Sequence, residues 1–84
     1  MATADREKER EVTWELSEHI GVIGKDPKGW TRELNRVAWN GGPVKYDIRS
    51  WDEAHEKMSK GITLTKEEIT AMRDMLSGLV FEQN

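Results

Sequence analysis

The sequence predicts an α+β domain in which four β-strands are followed by one C-terminal α-helix, in the order ββββα. Three features carry this reading. Apolar and polar residues alternate with a period of two from Val12 onward, as in strands that bury one face. Turn-forming clusters interrupt the alternation at residues 25–29 and 40–43. From Thr65 the apolar spacing changes to that of a helix, behind a capping sequence.

Residues 1–11 carry mixed charge with little to bury, so they are expected to form a disordered or frayed arm. In the first strand Val12, Trp14, Leu16, Ile20 and Val22 share the parity of a buried face, while Glu15, Ser17 and His19 share the other. Glu18 interrupts the apolar set. Lys25-Asp26-Pro27-Lys28-Gly29 reads as a turn, because Pro presets φ and Gly accepts positive φ at the exit. Trp30 to Trp39 reads as the second strand, with Leu34 and Ala38 on one parity and Val37 and Trp39 on the other. Asn40-Gly41 is a hairpin signal, since both residues tolerate positive φ, and Gly42-Pro43 ends the pairing.

Val44 to Trp51 is the third strand. Tyr46 and Ile48 point inward, and Lys45, Asp47, Arg49 and Trp51 form an exposed working face. Residues 52–59 are polar and read as a solvated loop. Lys60 to Leu64 forms a short fourth strand with Ile62 and Leu64 inward. Thr65 and Glu68 make a capping box, and Glu67 and Glu68 complement the positive end of the helix dipole. Ile69, Met72, Leu76, Leu79 and Val80 recur at helical spacing, with Met75 beside them and Gly78 weakening the last turn. The domain is expected to span residues 12–80, with 81–84 as a tail.

A chain of 84 residues is one domain, and one this short buries only about 60% of its unfolded surface. It has no cysteine to staple the core, so a partner subunit is expected to complete it. No apolar run approaches the length of a membrane span, and the charged N-terminus lacks the apolar centre of a secretion signal. A cytoplasmic protein, free or nucleoid-associated, is the expectation. Net charge is −3, yet residues 19–51 hold six bases against three acids, with three of the four tryptophans and the only tyrosine. Cations interleaved with aromatics suit a single-strand binder, in which charge follows the phosphates and rings stack on bases.

Catalysis and metal binding find little support. His19 and His55 are far apart in sequence, and Asp47 and Glu33 have no nucleophile placed beside a base. No metal, cofactor or small-molecule substrate is expected, and the chain is not expected to be an enzyme.

The run Lys45-Tyr46-Asp47-Ile48-Arg49-Ser50-Trp51, followed by Lys60-Gly61-Ile62-Thr63-Leu64-Thr65, resembles the positive cofactor four family of transcriptional coactivators and single-stranded DNA-binding proteins. Its small bacterial YdbC-type branch is the closer match, through Glu18 to Val22, Lys28 to Thr31 and Trp39 to Gly41. The resemblance covers about residues 12 to 80. It implies a four-stranded antiparallel sheet with a C-terminal helix, a PC4/whirly-like homodimer whose two sheets form one basic and aromatic groove, and sequence-tolerant binding of single-stranded DNA. Arg49 and Trp51 fall on the family's Asp-Ile-Arg and Trp positions, Lys60 on its Lys before the fourth strand, and Trp39 near an aromatic. Gly42 and Pro43 stand where the coactivators carry lysine, which implies weaker binding here.

The leading expectation is therefore binding of single-stranded DNA, with RNA as a second candidate, in transcription regulation or DNA maintenance. Lys25, Lys28, Arg32, Lys45, Arg49 and Lys60 would neutralise phosphates, and Trp30, Trp39 and Trp51 would stack on bases, while Trp14 stays in the core. For Trp51 and Trp39 alike the competing expectation is a place at the rim of the core or of a dimer interface. The competing function is a dimeric protein-interaction module whose tryptophans anchor a protein rather than a nucleic acid.

Overall fold

A computed structural model describes residues 12–81; the arm expected at 1–11 and most of the expected tail, residues 82–84, lie outside the described residues. Four strands, β1 (Trp14–Lys25), β2 (Thr31–Trp39), β3 (Val44–Trp51) and β4 (Ile62–Leu64), form one antiparallel sheet in sequence order, followed by helix α1 (Lys66–Ser77). The ββββα order expected from the sequence is the observed one.

Local chemistry builds both hairpins. Asp26 Oδ1 accepts from the N–H groups of Lys28 (2.9 Å) and Trp30 (3.1 Å), and Gly29 leaves the turn at φ 89°. An acceptor side chain and a residue without a Cβ are what such a turn needs. In the second turn Asn40 (φ 52°) and Gly41 (φ 73°) both take positive φ, and Asn40 Oδ1 also accepts from the Thr13 N–H at 3.0 Å.

β1 departs from the period-two expectation. Its twelve residues pair with nine of β2, and the register shifts at Ser17, Ile20 and Ile23. Each extra residue is a bulge, which flips the following side chain to the other face and bends the strand. As a result Trp14, Leu16, His19, Val22 and Lys25 share a face with Trp39, Val37, Asn35, Glu33 and Thr31. His19, expected opposite Trp14, lies beside it, and Ile20, expected inward, sits in a bulge and is exposed.

The two faces differ from expectation in a second way. Leu34 and Ile48 face α1, and with Ile23, Ile69, Met72 and Leu76 they line a groove of about 420 Å³. They are only half-buried. The fully buried residues Glu33, Asn35, Val37, Asp47 and Trp51 lie on the opposite face, the one expected to be open. Bulging of β1 curls the sheet toward that face, and the segment 52–59 folds across it. That segment is not a loose loop: Asp52 Oδ1 accepts from the N–H groups of Glu56 (2.8 Å) and Lys57 (3.0 Å), and Met58 bridges to Trp51.

The capping box of α1 is complete, with Glu68 N–H donating to Thr65 Oγ1 at 3.1 Å and Thr65 N–H to Glu68 Oε1 at 2.9 Å. The helix stops at Ser77, and Gly78 N–H closes the last turn on the Met75 carbonyl. Leu79 and Val80, expected on the helical stripe, lie beyond it and are exposed, as is Phe81.

Candidate nucleic-acid interface

Buried polar side chains fill the concave face, and each must find partners to offset its desolvation. Two networks do so. In the first, Glu33 accepts from Thr31 Oγ1 (2.6 Å), Asn35 Nδ2 (3.1 Å) and His55 Nε2 (2.9 and 3.1 Å), and His19 donates from Nδ1 to Asn35 Oδ1 (2.7 Å). Burial pushes the Glu33 carboxyl up, but the hydrogen bonds from Thr31, Asn35 and His55 and the His55 charge outweigh it and hold it below the usual carboxylate range. His55 also stacks on Trp51, with centroids 5.6 Å apart, so one imidazole ties the 52–59 segment to the sheet twice. The Asp52 carboxyl is likewise held low, chiefly by the Lys57 N–H and then by that of Glu56, with the Lys57 and His55 charges nearby.

The second network is built on Asp47, which is fully buried. Arg49 Nε donates to Asp47 Oδ2 at 2.6 Å and Arg49 Nη2 to Asp47 Oδ1 at 2.8 Å, a bidentate fork, and Thr63 Oγ1 donates to Oδ1 at 3.0 Å. The guanidinium lies over the Trp39 ring, its central carbon 4.6 Å from the centroid. Arg49 pairs in register with Glu33, six residues from Trp39 along β2, so its side chain runs back along β3 to reach that ring.

The structure thus brings together Trp39, Lys45 and Arg49 on one face, with Lys60 at the neighbouring edge, next to Gly61 whose backbone abuts Arg49. Lys25, Lys28 and Trp30 form a separate cluster at the β1–β2 turn, where Lys28 Nζ lies 5.0 Å from the Trp30 ring centroid. Arg32 pairs with Ser50 and faces the helix side, opposite Arg49. Trp51 corrects the sequence reading. It is 0% exposed, wedged between Trp14 and His55, so no ring face is open to a base. It is a fully buried core residue, neither on an open face nor at the rim of the core.

Sequence reasoning missed the Glu33, His19 and His55 convergence, because the bulges that turn His19 inward leave no short-range signal. It did place Asp47 and Arg49 on one strand face two residues apart, and that spacing was the available signal for their ion pair. Among the described residues no group of three or more potential ligands is arranged to hold a metal ion, and no helix is long and apolar enough to cross a membrane.

Residues 27–75, over half of the chain, match the family described as Transcriptional Coactivator p15 (PC4). The chain belongs to the PC4 family. It is also 43% identical over 79 residues to an uncharacterized protein of Treponema pallidum (strain Nichols), covering 88% of this chain and 93% of that one. The family match runs from the Asp26 turn through β2, β3 and β4 into α1, and so contains Trp39, Lys45, Asp47, Arg49 and Lys60. This places the chain in a family described by a transcriptional coactivator, and the ββββα fold agrees with that membership.

Proposed function

We propose that this protein binds single-stranded nucleic acid, DNA in the first place, with little sequence preference, through the concave face of the sheet. The observation that carries the reading is the grouping of Trp39 with the cations Lys45, Arg49 and Lys60 on and beside one face of β2 and β3, in a chain of the PC4 family. Half-buried Trp39 offers a π-face, which every base can stack on, and exposed Lys45 and Lys60 supply charge that follows phosphates. Lys25, Lys28 and Trp30 extend the footprint at the β1–β2 turn. Arg32 contributes only to a strand that leaves the concave face.

The working unit in this reading is a homodimer. Met75 (66% exposed), Leu79 (54%), Val80 (91%) and Phe81 (73%) form an apolar surface at the end of α1 that a small monomer gains by covering. A second copy supplies that cover and lengthens the basic and aromatic face. The biological role that follows is transcription regulation or DNA maintenance.

Polarisation of a labelled oligothymidine, measured beside a duplex of equal length and an RNA strand, tests the reading. Saturable binding of the single strand, weaker binding of the duplex and a fall in affinity with salt support it. Equal failure of all three probes moves the protein to the competing class, a module that docks a protein on the same surface.

A further inference from the structure

Arg49 is a cation of the concave face that arrives already neutralised. Its Nε and Nη2 are spent on the buried Asp47 carboxylate at 2.6 and 2.8 Å, Thr63 Oγ1 approaches Nη2 at 3.5 Å, and Nη1 faces Met58 Sδ (3.7 Å) and the Ser59 carbonyl (3.4 Å). Its side chain is 14% exposed. A guanidinium paired inside the fold is not free to neutralise a phosphate, so it displaces few of the strand's counterions and adds little to phosphate attraction. Its plane is nonetheless fixed, and fixed against the Trp39 ring at 4.6 Å.

We propose that Arg49 serves strand binding as the positioning residue of Trp39 rather than as a phosphate ligand: Asp47 and Thr63 lock the guanidinium, the guanidinium backs one face of the indole, and an unpaired nucleobase stacks on what the ring leaves open. This rests on the strand-binding reading and assigns the phosphate work to the lysines. A ring held from behind loses less freedom when a base arrives, which is the general advantage of preorganisation. Gly61 belongs to the device, because a Cβ there would overlap Arg49 Cβ and the Ile48 carbonyl. Lysine cannot replace Arg49 in it, since an ammonium carries the charge without the planar fork.

The test compares Arg49→Lys, Arg49→Gln and Lys45→Ala with the unaltered protein, titrating oligothymidine over a range of salt. Both Arg49 variants should lose affinity on the order of tenfold, as for a weakened base–aromatic stack, with the salt slope unchanged. Lys45→Ala should lower that slope by about 0.7, the share of one phosphate contact on a single strand. Full affinity in Arg49→Lys together with a reduced slope in Arg49→Gln would overturn the proposal and make Arg49 a phosphate ligand. A second arm needs no nucleic acid: the indole N–H resonance of Trp39, assigned with Trp39→Phe, should shift and broaden in Arg49→Lys, and an unchanged resonance overturns the backing role. If the unaltered protein binds no strand, the strand-binding reading fails, while this second arm still decides whether Arg49 fixes Trp39.

Discussion

Trp14 and Trp51 meet with ring centroids 5.7 Å apart, although their partners in β2, Trp39 and Thr31, are eight residues apart along the strand. Eight residues of extended chain span roughly 26 Å. The contact therefore measures how far the sheet curls, and it explains why the face that carries Glu33, Asn35 and Asp47 is the buried one.

Trp51 closes that curl, and its removal leaves a large cavity beside buried polar groups. Trp51→Ala should destabilise the fold by about 3–5 kcal/mol. Urea unfolding followed by circular dichroism measures this. A loss of binding without a loss of stability would instead return Trp51 to the ligand surface.

Glu33 makes stability depend on pH in acid. Its folded pKa lies below its unfolded one, so its contribution is fully present above the unfolded value, about 4.3, and is lost as pH falls through the lower folded value. Glu33→Gln should flatten this part of the profile while lowering stability near neutrality. Thermal unfolding of both proteins from neutral to acid pH shows the difference, and parallel profiles would contradict it.

Gly61 lets β4 approach β3 at Arg49. Gly61→Ala should cost about 1–3 kcal/mol through overpacking, even though its backbone conformation is open to alanine. An equally stable variant in the same urea assay would show that the two strands have room to separate.

The apolar end of α1 predicts self-association. Sedimentation equilibrium should find a dimer, and Leu79→Asp combined with Phe81→Asp should dissociate it without altering the circular dichroism of the sheet. A monomeric unaltered protein would assign this surface to something other than a second copy.

What could be read in the sequence was what local chemistry decides. Asn40-Gly41, Asp26 to Gly29 and the Thr65–Glu68 pair each satisfy their own backbone, so their structures follow from nearest neighbours. The strand order and the helix follow from those punctuation marks and the apolar spacing between them. The face of β1 was not legible, because Ser17, Ile20 and Ile23 are bulged by pairing with a strand of a different length rather than by any residue type of their own. The fate of Trp51 depended on the same curl. The candidate site was half legible: Lys45 and Arg49 share a face with Trp39, as the alternation of β3 suggested for the two cations, whereas Arg32 falls on the far face through its register with Ser50.

Tryptophan fluorescence during titration with a short oligothymidine decides whether a strand binds on the concave face. Trp39 and Trp30 are half-buried and can meet a base, while Trp51 is enclosed. Stacking on Trp39 gives saturable quenching that fades with salt, is weak with duplex, and is largely lost in Trp39→Phe. Quenching that persists undiminished in Trp39→Phe, or none at all in the unaltered protein, would contradict strand binding through the concave face.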